Sequence, residues 1–169
     1  MMPKLDRYHF PKVKDFMTQT VVAFDENFTA FDVLKAFNSH RISAAPVLRS
    51  AESKEIVGFV TEQDCMECIA NNSFYDDRND CSITEIMSRE ILMVNQNKDV
   101  FDLEQMFKEA NLRHAPVVDD SGNLVGMVSR RDIMRALEGV VDEMKLYKEK
   151  IKTPHNLSMM QETKWKIST

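Results

Sequence analysis

The sequence contains itself twice. Residues 16–48, FMTQTVVAFDENFTAFDVLKAFNSHRISAAPVL, align with residues 86–118, IMSREILMVNQNKDVFDLEQMFKEANLRHAPVV, without a gap and at a constant offset of 70. Met17 meets Met87, Phe31–Asp32 meets Phe101–Asp102, Phe37 meets Phe107, and Ala45–Pro46–Val47 meets Ala115–Pro116–Val117. The register then shifts by two, because RSAESKE is longer than DDSGN, and the match resumes at Gly58/Gly126, Thr61/Ser129 and Asp64/Asp132. A repeat of this length constrains a fold more than composition does, because two copies of one pattern give one order of elements twice.

That order is strand, helix, strand, strand, helix. A Met-led start runs into a short apolar segment, TVVAF or EILMV. An amphipathic helix follows. Ala30, Val33, Leu34 and Phe37 in the first copy, and Val100, Leu103, Phe107 and Ala110 in the second, fall at helical spacing. Thr29 and Asp99 suit the N-caps of these helices, where a short side-chain oxygen accepts from unpaired backbone N–H groups. AAPVL and APVVD are short strands opened by proline, where a missing N–H costs least. SGN is a hairpin turn, AESKE a longer version of it, and IVGFV and LVGMV are buried strands. Asp64 and Asp132 fall in the first turn of a second helix.

Composition narrows the classes. The 169 residues suffice for one ordinary domain or two small ones, with apolar and charged fractions of a soluble globular protein. A net charge of -5 speaks against a general nucleic-acid binder, which needs a basic face to displace counterions. The start, MMPKLDRYHF, has charges where a secretory segment would be apolar, and no apolar run is long enough to span a bilayer. A cytoplasmic protein is therefore expected, with Cys65, Cys68 and Cys81 as free thiols. Cys65 and Cys68 form a CxxC, but structural zinc takes four ligands and no second CxxC or histidine pair exists, so no metal site is expected. Without a Ser/His/Asp set or a P-loop, no catalytic residues are assigned and no enzyme is expected. The twelve methionines read as adaptable core filling.

The order of these motifs, twice over, resembles the CBS domain, and the tandem resembles a Bateman module. The resemblance rests on the hxxhMxxxhhhh start, the hxxAPVhd strand, and GhhTxxDh or GhhSxxDh (h, apolar), and covers about residues 13 to 137. It implies an α+β fold: two tandem β-α-β-β-α repeats packed sheet to sheet about a pseudo-twofold axis, here with a C-terminal helix. The expected divisions are 1–12, an N-terminal extension; 13–70, the first repeat; 71–82, a linker; 83–138, the second repeat; and 139–169, a C-terminal helix and tail.

The joint between the last strand and last helix of each repeat has chemistry of its own. A helix start presents unpaired N–H groups and partial positive charge. Thr61 or Ser129 there can cap the helix or donate to a phosphate. Asp64 or Asp132, one turn on, can accept from the vicinal hydroxyls of a ribose. Gly58 or Gly126 would let the backbone approach a flat ring. The same Thr-x-x-Asp and Ser-x-x-Asp patterns also serve as capping boxes that merely start a helix. The resemblance favours a ligand: it implies Asp64 and Asp132 as ribose-binding carboxylates, with Thr61 and Ser129 as phosphate or ribose contacts. It also implies that each cleft borrows the opening strand of the other repeat. The Asp132 site would take Arg113, His114 and Ala115 from its own repeat, with Thr20 and Val22 from the first. The Asp64 site would take Ser43, Ala44 and Ala45, with Glu90 and Leu92 from the second. Arg130 and Arg131 stand where the Asp64 site has Glu62 and Gln63, so charge makes the Asp132 site the better phosphate binder.

The function so implied is regulatory. The module would bind AMP, ADP or ATP as a regulatory ligand rather than a cofactor, and shift the state of a partner protein through differential affinity. A homodimer is implied as well, with Phe31, Phe37, Phe101 and Phe107 supplying apolar surface on or near the pairing helices. Two other readings stand beside this one: a constitutive dimerisation or adaptor module with empty sites, and a binder of a phosphate-free adenosyl ligand such as S-adenosylmethionine. Tyr8 and Phe10 are expected against the body. Val140, Met144, Tyr147 and Ile151 form one helical stripe that folds back on the module or pairs with another copy. Residues 153–169, Trp165 among them, show too little periodicity to assign.

Overall fold

Two copies of one pattern fold into two copies of one small sheet. The computed structural model describes residues 10–75 and 81–152. The first copy runs α1 (Val13–Phe16), β1 (Phe24–Asp25), α2 (Ala30–His40), β2 (Ala44–Leu48), β3 (Ile56–Thr61) and α3 (Glu62–Tyr75). The second runs α4 (Ile83–Ile86), β4 (Val94–Asn95), α5 (Val100–Glu109), β5 (His114–Val118), β6 (Leu124–Ser129) and α6 (Arg130–Lys152). Each sheet has three strands, the first two parallel and the last two antiparallel. The two repeats meet through β2 and β5. Thr29 accepts from the Asp32 N–H, and Asp99 from those of Phe101 and Asp102, so both helices start on the expected caps.

The opening strands are shorter than the sequence suggests. Of TVVAF and EILMV only the last residue of each is paired, at β1 and β4. This explains the prolines, which stand third in the central strands rather than opening them. Pro46 faces Phe59, and Phe59 uses both its N–H and its C=O on Ser88, so the pair exchanges no bonds. On the other side β1 reaches only Val47 and Leu48. The missing N–H of Pro46 therefore removes no ladder bond. Pro116 is excused in the same way, because Met127 opposite it exchanges both bonds with Thr18.

Ser88 and Thr18 each belong to the other repeat, and the exchange extends into the cores. Val13 of α1 is fully buried among Val94, Val100, Leu103, Phe107, Val117 and Val128 of the second repeat. Ile83 and Met87 are buried among Phe24, Val33, Phe37, Val47 and Val60 of the first. Each short opening helix thus closes its neighbour's core. The glycines serve this exchange, which corrects their expected role beside a flat ring. A Cβ on Gly126 would stand 2.6 Å from Met17 Sδ and 3.0 Å from the Thr18 carbonyl oxygen, and one on Gly58 would overlap Met87 Sδ. Both contacts are too close for a side chain.

The cysteines also depart from expectation. Cys68, buried on α3, forms a disulfide with Cys81, which immediately precedes the first cap of α4; their Cα atoms are 6.4 Å apart. Cys65 is buried in the first core. Helix α3 runs past residue 71 to Tyr75, into the expected linker. At the other end, residues 139–152 continue α6 as one helix of 23 residues. Its stripe folds back: Val140 and Met144 pack on the second core, while Tyr147 is exposed. Phe10 meets the Phe101 ring edge to face at 4.8 Å. Tyr8, the side chain of Ile151 and residues 153–169 lie outside the described residues.

Candidate functional site

Two clefts open where the repeats meet. One, of about 550 Å³, is walled by Thr18, Thr20, Val21 and Val22 from the first opening segment and by Met127, Val128, Ser129 and Asp132 from the β6–α6 joint. The other, of about 630 Å³, is walled by Ser88, Glu90, Ile91 and Leu92 from the second opening segment and by Phe59, Thr61, Glu62, Gln63 and Met66 from the β3–α3 joint. Ser43, Glu62 and His114 line both and form the ridge between them. Both volumes lie in the range of small-molecule sites. The stretches Thr20–Val22 and Glu90–Leu92, which precede the short β1 and β4, lie on the walls of these clefts.

The joints themselves are capping boxes. Ser129 donates its N–H (2.8 Å) and Oγ–H (2.6 Å) to Asp132 Oδ2, and the Asp132 N–H donates to Ser129 Oγ. Thr61 and Asp64 repeat this, with both bonds to Oδ2 at 2.7 Å. Capping uses one carboxylate oxygen only. Asp132 Oδ1 lies 3.8 Å from Arg135 Nη1, accepts no hydrogen bond from a described residue, and belongs to a side chain on the cleft wall. Cap and acceptor roles are therefore compatible at Asp132. Asp64 makes the same box but does not line the second cleft.

The cations are distributed differently from the expectation. Arg113 lines the second cleft, not the one with Asp132. Arg130 lies outside both: its Nε donates to the Leu112 carbonyl and its Nη2 to Asn111 Oδ1 at 2.9 Å, so it braces the α5–β5 turn. Arg131 is exposed and lines neither cleft. Ala45 and Ala115 are buried in the two cores, because strand alternation turns them inward, while Ala44 lines the Asp132 cleft rather than the other. His114 is half-buried, and burial pushes its imidazole below the ordinary histidine range, against the opposing pull of Asp132 and Glu62. Burial thus favours its neutral form, which offers one donor and one acceptor. Sequence reasoning missed Asn38 and Arg41, which enter the Asp132 cleft from the C-terminal end of α2. Among the described residues no group of three or more His, Cys, Asp or Glu could hold a metal ion, and no helix is long and apolar enough to cross a membrane.

Known proteins share this architecture. The CBS domain matches residues 13–71 and 83–139. An uncharacterized protein of Methanocaldococcus jannaschii is 25% identical over 74% of this chain and 90% of its own length. A second uncharacterized protein of that organism is 26% identical over 78% of this chain but only 41% of its own length. The crystal structure of the CBS domain pair of protein MJ0100, in complex with 5'-methylthioadenosine and S-adenosyl-L-methionine, superposes with a TM-score of 0.67 at 25% identity, covering 78% of this chain and 98% of that one. CBSX2 in complex with AMP has the same fold, with a TM-score of 0.66 at 23% identity, covering 76% of this chain and 97% of that one.

Proposed function

Because this chain belongs to the CBS-domain family and folds its two repeats into one module, we propose that it is a ligand-sensing regulator that binds an adenine nucleotide and signals its occupancy to a partner protein. AMP, ADP and ATP are the candidate ligands, held between the repeats rather than used as cofactors. The observation that carries this reading is Asp132. Its side chain lies on the wall of a cleft of about 550 Å³ with Oδ1 outside the cap, 3.8 Å from Arg135 Nη1, and Ser129, Thr20, Val21 and Val22 share that wall. A ribose diol needs such an acceptor, and an adenine ring needs such a slot. Val22, Ala44 and His114 complete that wall, while Thr61, Ser43, Arg113 and Leu92 furnish the second cleft. Both clefts are built across the repeats, so a ligand that prefers one arrangement of the repeats shifts the population toward it. A role in regulation rather than catalysis is part of the same proposal, as is a cytoplasmic location, where the nucleotide pool is available. There the Cys68–Cys81 bond, contrary to the free thiols expected from the sequence, would have to persist against reduction.

Calorimetric titration with adenosine, AMP, ADP and ATP tests the reading. Asp132→Ala is expected to weaken binding by about 1.5–3 kcal/mol, the worth of a hydrogen bond to a charged group. Asp64→Ala loses an equal capping box, so it controls for stability, and it should weaken binding less. Equal losses in the two variants, or no saturable binding by the wild type, would overturn the proposal.

A second reading is favoured by Glu62 and Glu90, which stand with Arg113 on the second cleft and would match a zwitterion, carboxylates against its cationic groups and guanidinium against its carboxylate. An adenosyl compound of that kind, such as S-adenosylmethionine, suits that cleft better, and the MJ0100 domain pair is bound to such a ligand. Homodimerisation belongs to the proposal too. Phe31 and Phe101, matched by the repeat, are 48% and 43% exposed, whereas Phe37 and Phe107 are in the cores. Light scattering is expected to give twice the chain mass; a monomer at high concentration would remove the dimer.

A further inference from the structure

Arg41 adopts φ 54°, ψ 44°, the left-handed conformation in which a β-carbon crowds the following carbonyl. Glycine is the usual residue at such a helix end. The matching residue of the second repeat, Asn111, has φ 50°. Asparagine tolerates that conformation well; arginine gains nothing from it locally. A non-glycine residue kept there points to a use for its side chain. In the second repeat the use is visible, since Asn111 Oδ1 accepts from Arg130. The residue matching Arg130 in the first repeat is Glu62, so the equivalent pair would be Arg41 with Glu62. The structure does not form it: Arg41 makes no side-chain hydrogen bond or ion pair with a described residue.

Instead Arg41 lines the Asp132 cleft, and among the described residues on that wall it is the only arginine or lysine. Glu62 and Asp132 are the carboxylates there, and burial disfavours the charged form of His114. We infer that Arg41 receives the anionic group of the ligand in the Asp132 cleft, making this cleft selective for a phosphorylated adenosine over the bare nucleoside. The inference rests on the reading of this cleft as an adenosine site and adds its charge selectivity. A guanidinium presents paired donors to phosphate oxygens, and its backbone conformation fixes where the side chain starts. Arg41 comes from the repeat opposite Asp132, so a ligand held by both bridges the two repeats, whereas adenosine lacks the group that Arg41 would hold.

The experiment is one affinity ratio, AMP to adenosine, in wild type, Arg41→Asn, Arg41→Gly and Arg41→Lys. Asparagine and glycine both suit the left-handed conformation, so these variants should fold, and thermal melting checks that they do. In wild type AMP is expected to bind about tenfold more tightly than adenosine, the lower end for a charged hydrogen bond because Arg41 is exposed. In Arg41→Asn and Arg41→Gly the ratio should fall to about one through loss of AMP affinity, with adenosine changed less than about twofold. Arg41→Lys should keep part of the ratio, since it retains the charge without the fork. Wild-type preference for AMP that survives in both folded neutral variants would overturn the inference and leave the adenosine site standing. Failure of wild type to bind either compound would instead overturn the adenosine reading itself.

Discussion

Ile83→Ala is expected to destabilise the protein by about 2–5 kcal/mol, the usual cost of emptying a fully buried aliphatic site. Ile83 is 0% exposed and sits on the four-residue helix α4. A helix this short has no stability of its own, so burial must hold it. By position in the sequence Ile83 opens the second repeat, yet its neighbours are Phe24, Val33, Phe37 and Val60 of the first. A double-mutant cycle reads this directly. Ile83→Ala and Val33→Ala should couple by about 0.5–3 kcal/mol, whereas Ile83→Ala and Leu103→Ala should add within about 0.5 kcal/mol. Chemical denaturation of the single and double variants supplies the energies. Coupling to Leu103 instead of Val33 would mean that each opening helix stays with its own repeat, and the clefts would lose the walls described above.

Cys81→Ser is expected to lower stability by roughly 3 kcal/mol, because opening a cross-link over 13 residues returns loop entropy to the unfolded chain. For a chain of this length that corresponds to a fall in Tm of about 6–12 °C. The bond ties α3, whose first turn walls the second cleft, to the residue before the cap of α4. The loss should therefore be felt first at α4: amide exchange at Ile83, whose N–H donates to the Phe28 carbonyl, should accelerate more than exchange at Met127. A reductant should lower the wild-type Tm to that of Cys81→Ser and leave the variant unchanged. Alkylation of all three cysteines in non-reduced protein, or a Tm indifferent to reductant, would show that the bond does not form in solution.

The order of elements was legible because it is local. Apolar spacing marks α2 and α5, Thr29 and Asp99 mark their caps, and the offset of 70 says that whatever one copy does the other does too. The family follows from the same local motifs, and so does the pairing of Thr61 with Asp64 and Ser129 with Asp132, whose partners lie within one helical turn. Contacts between distant segments were a different matter. That Gly126 makes room for Met17, that Ser88 relieves Phe59 of bonding to Pro46, and that Cys81 reaches Cys68 all depend on how the two copies dock. A repeat alignment is blind to docking, since it reports each copy's likeness to the other and not their contact. The same limit misplaced the cations. Arg113, Arg130 and Arg131 stand near Ser129 and Asp132 in sequence, but one faces the other cleft, one braces a turn and one faces solvent. Arg41, 91 residues before Asp132, arrives on the shared wall. Chain neighbours diverge because successive side chains point apart, and distant residues converge because each cleft is made by two repeats. The chemistry of the joint was therefore written in the sequence, while the set of charges that a ligand meets there was decided only by tertiary packing.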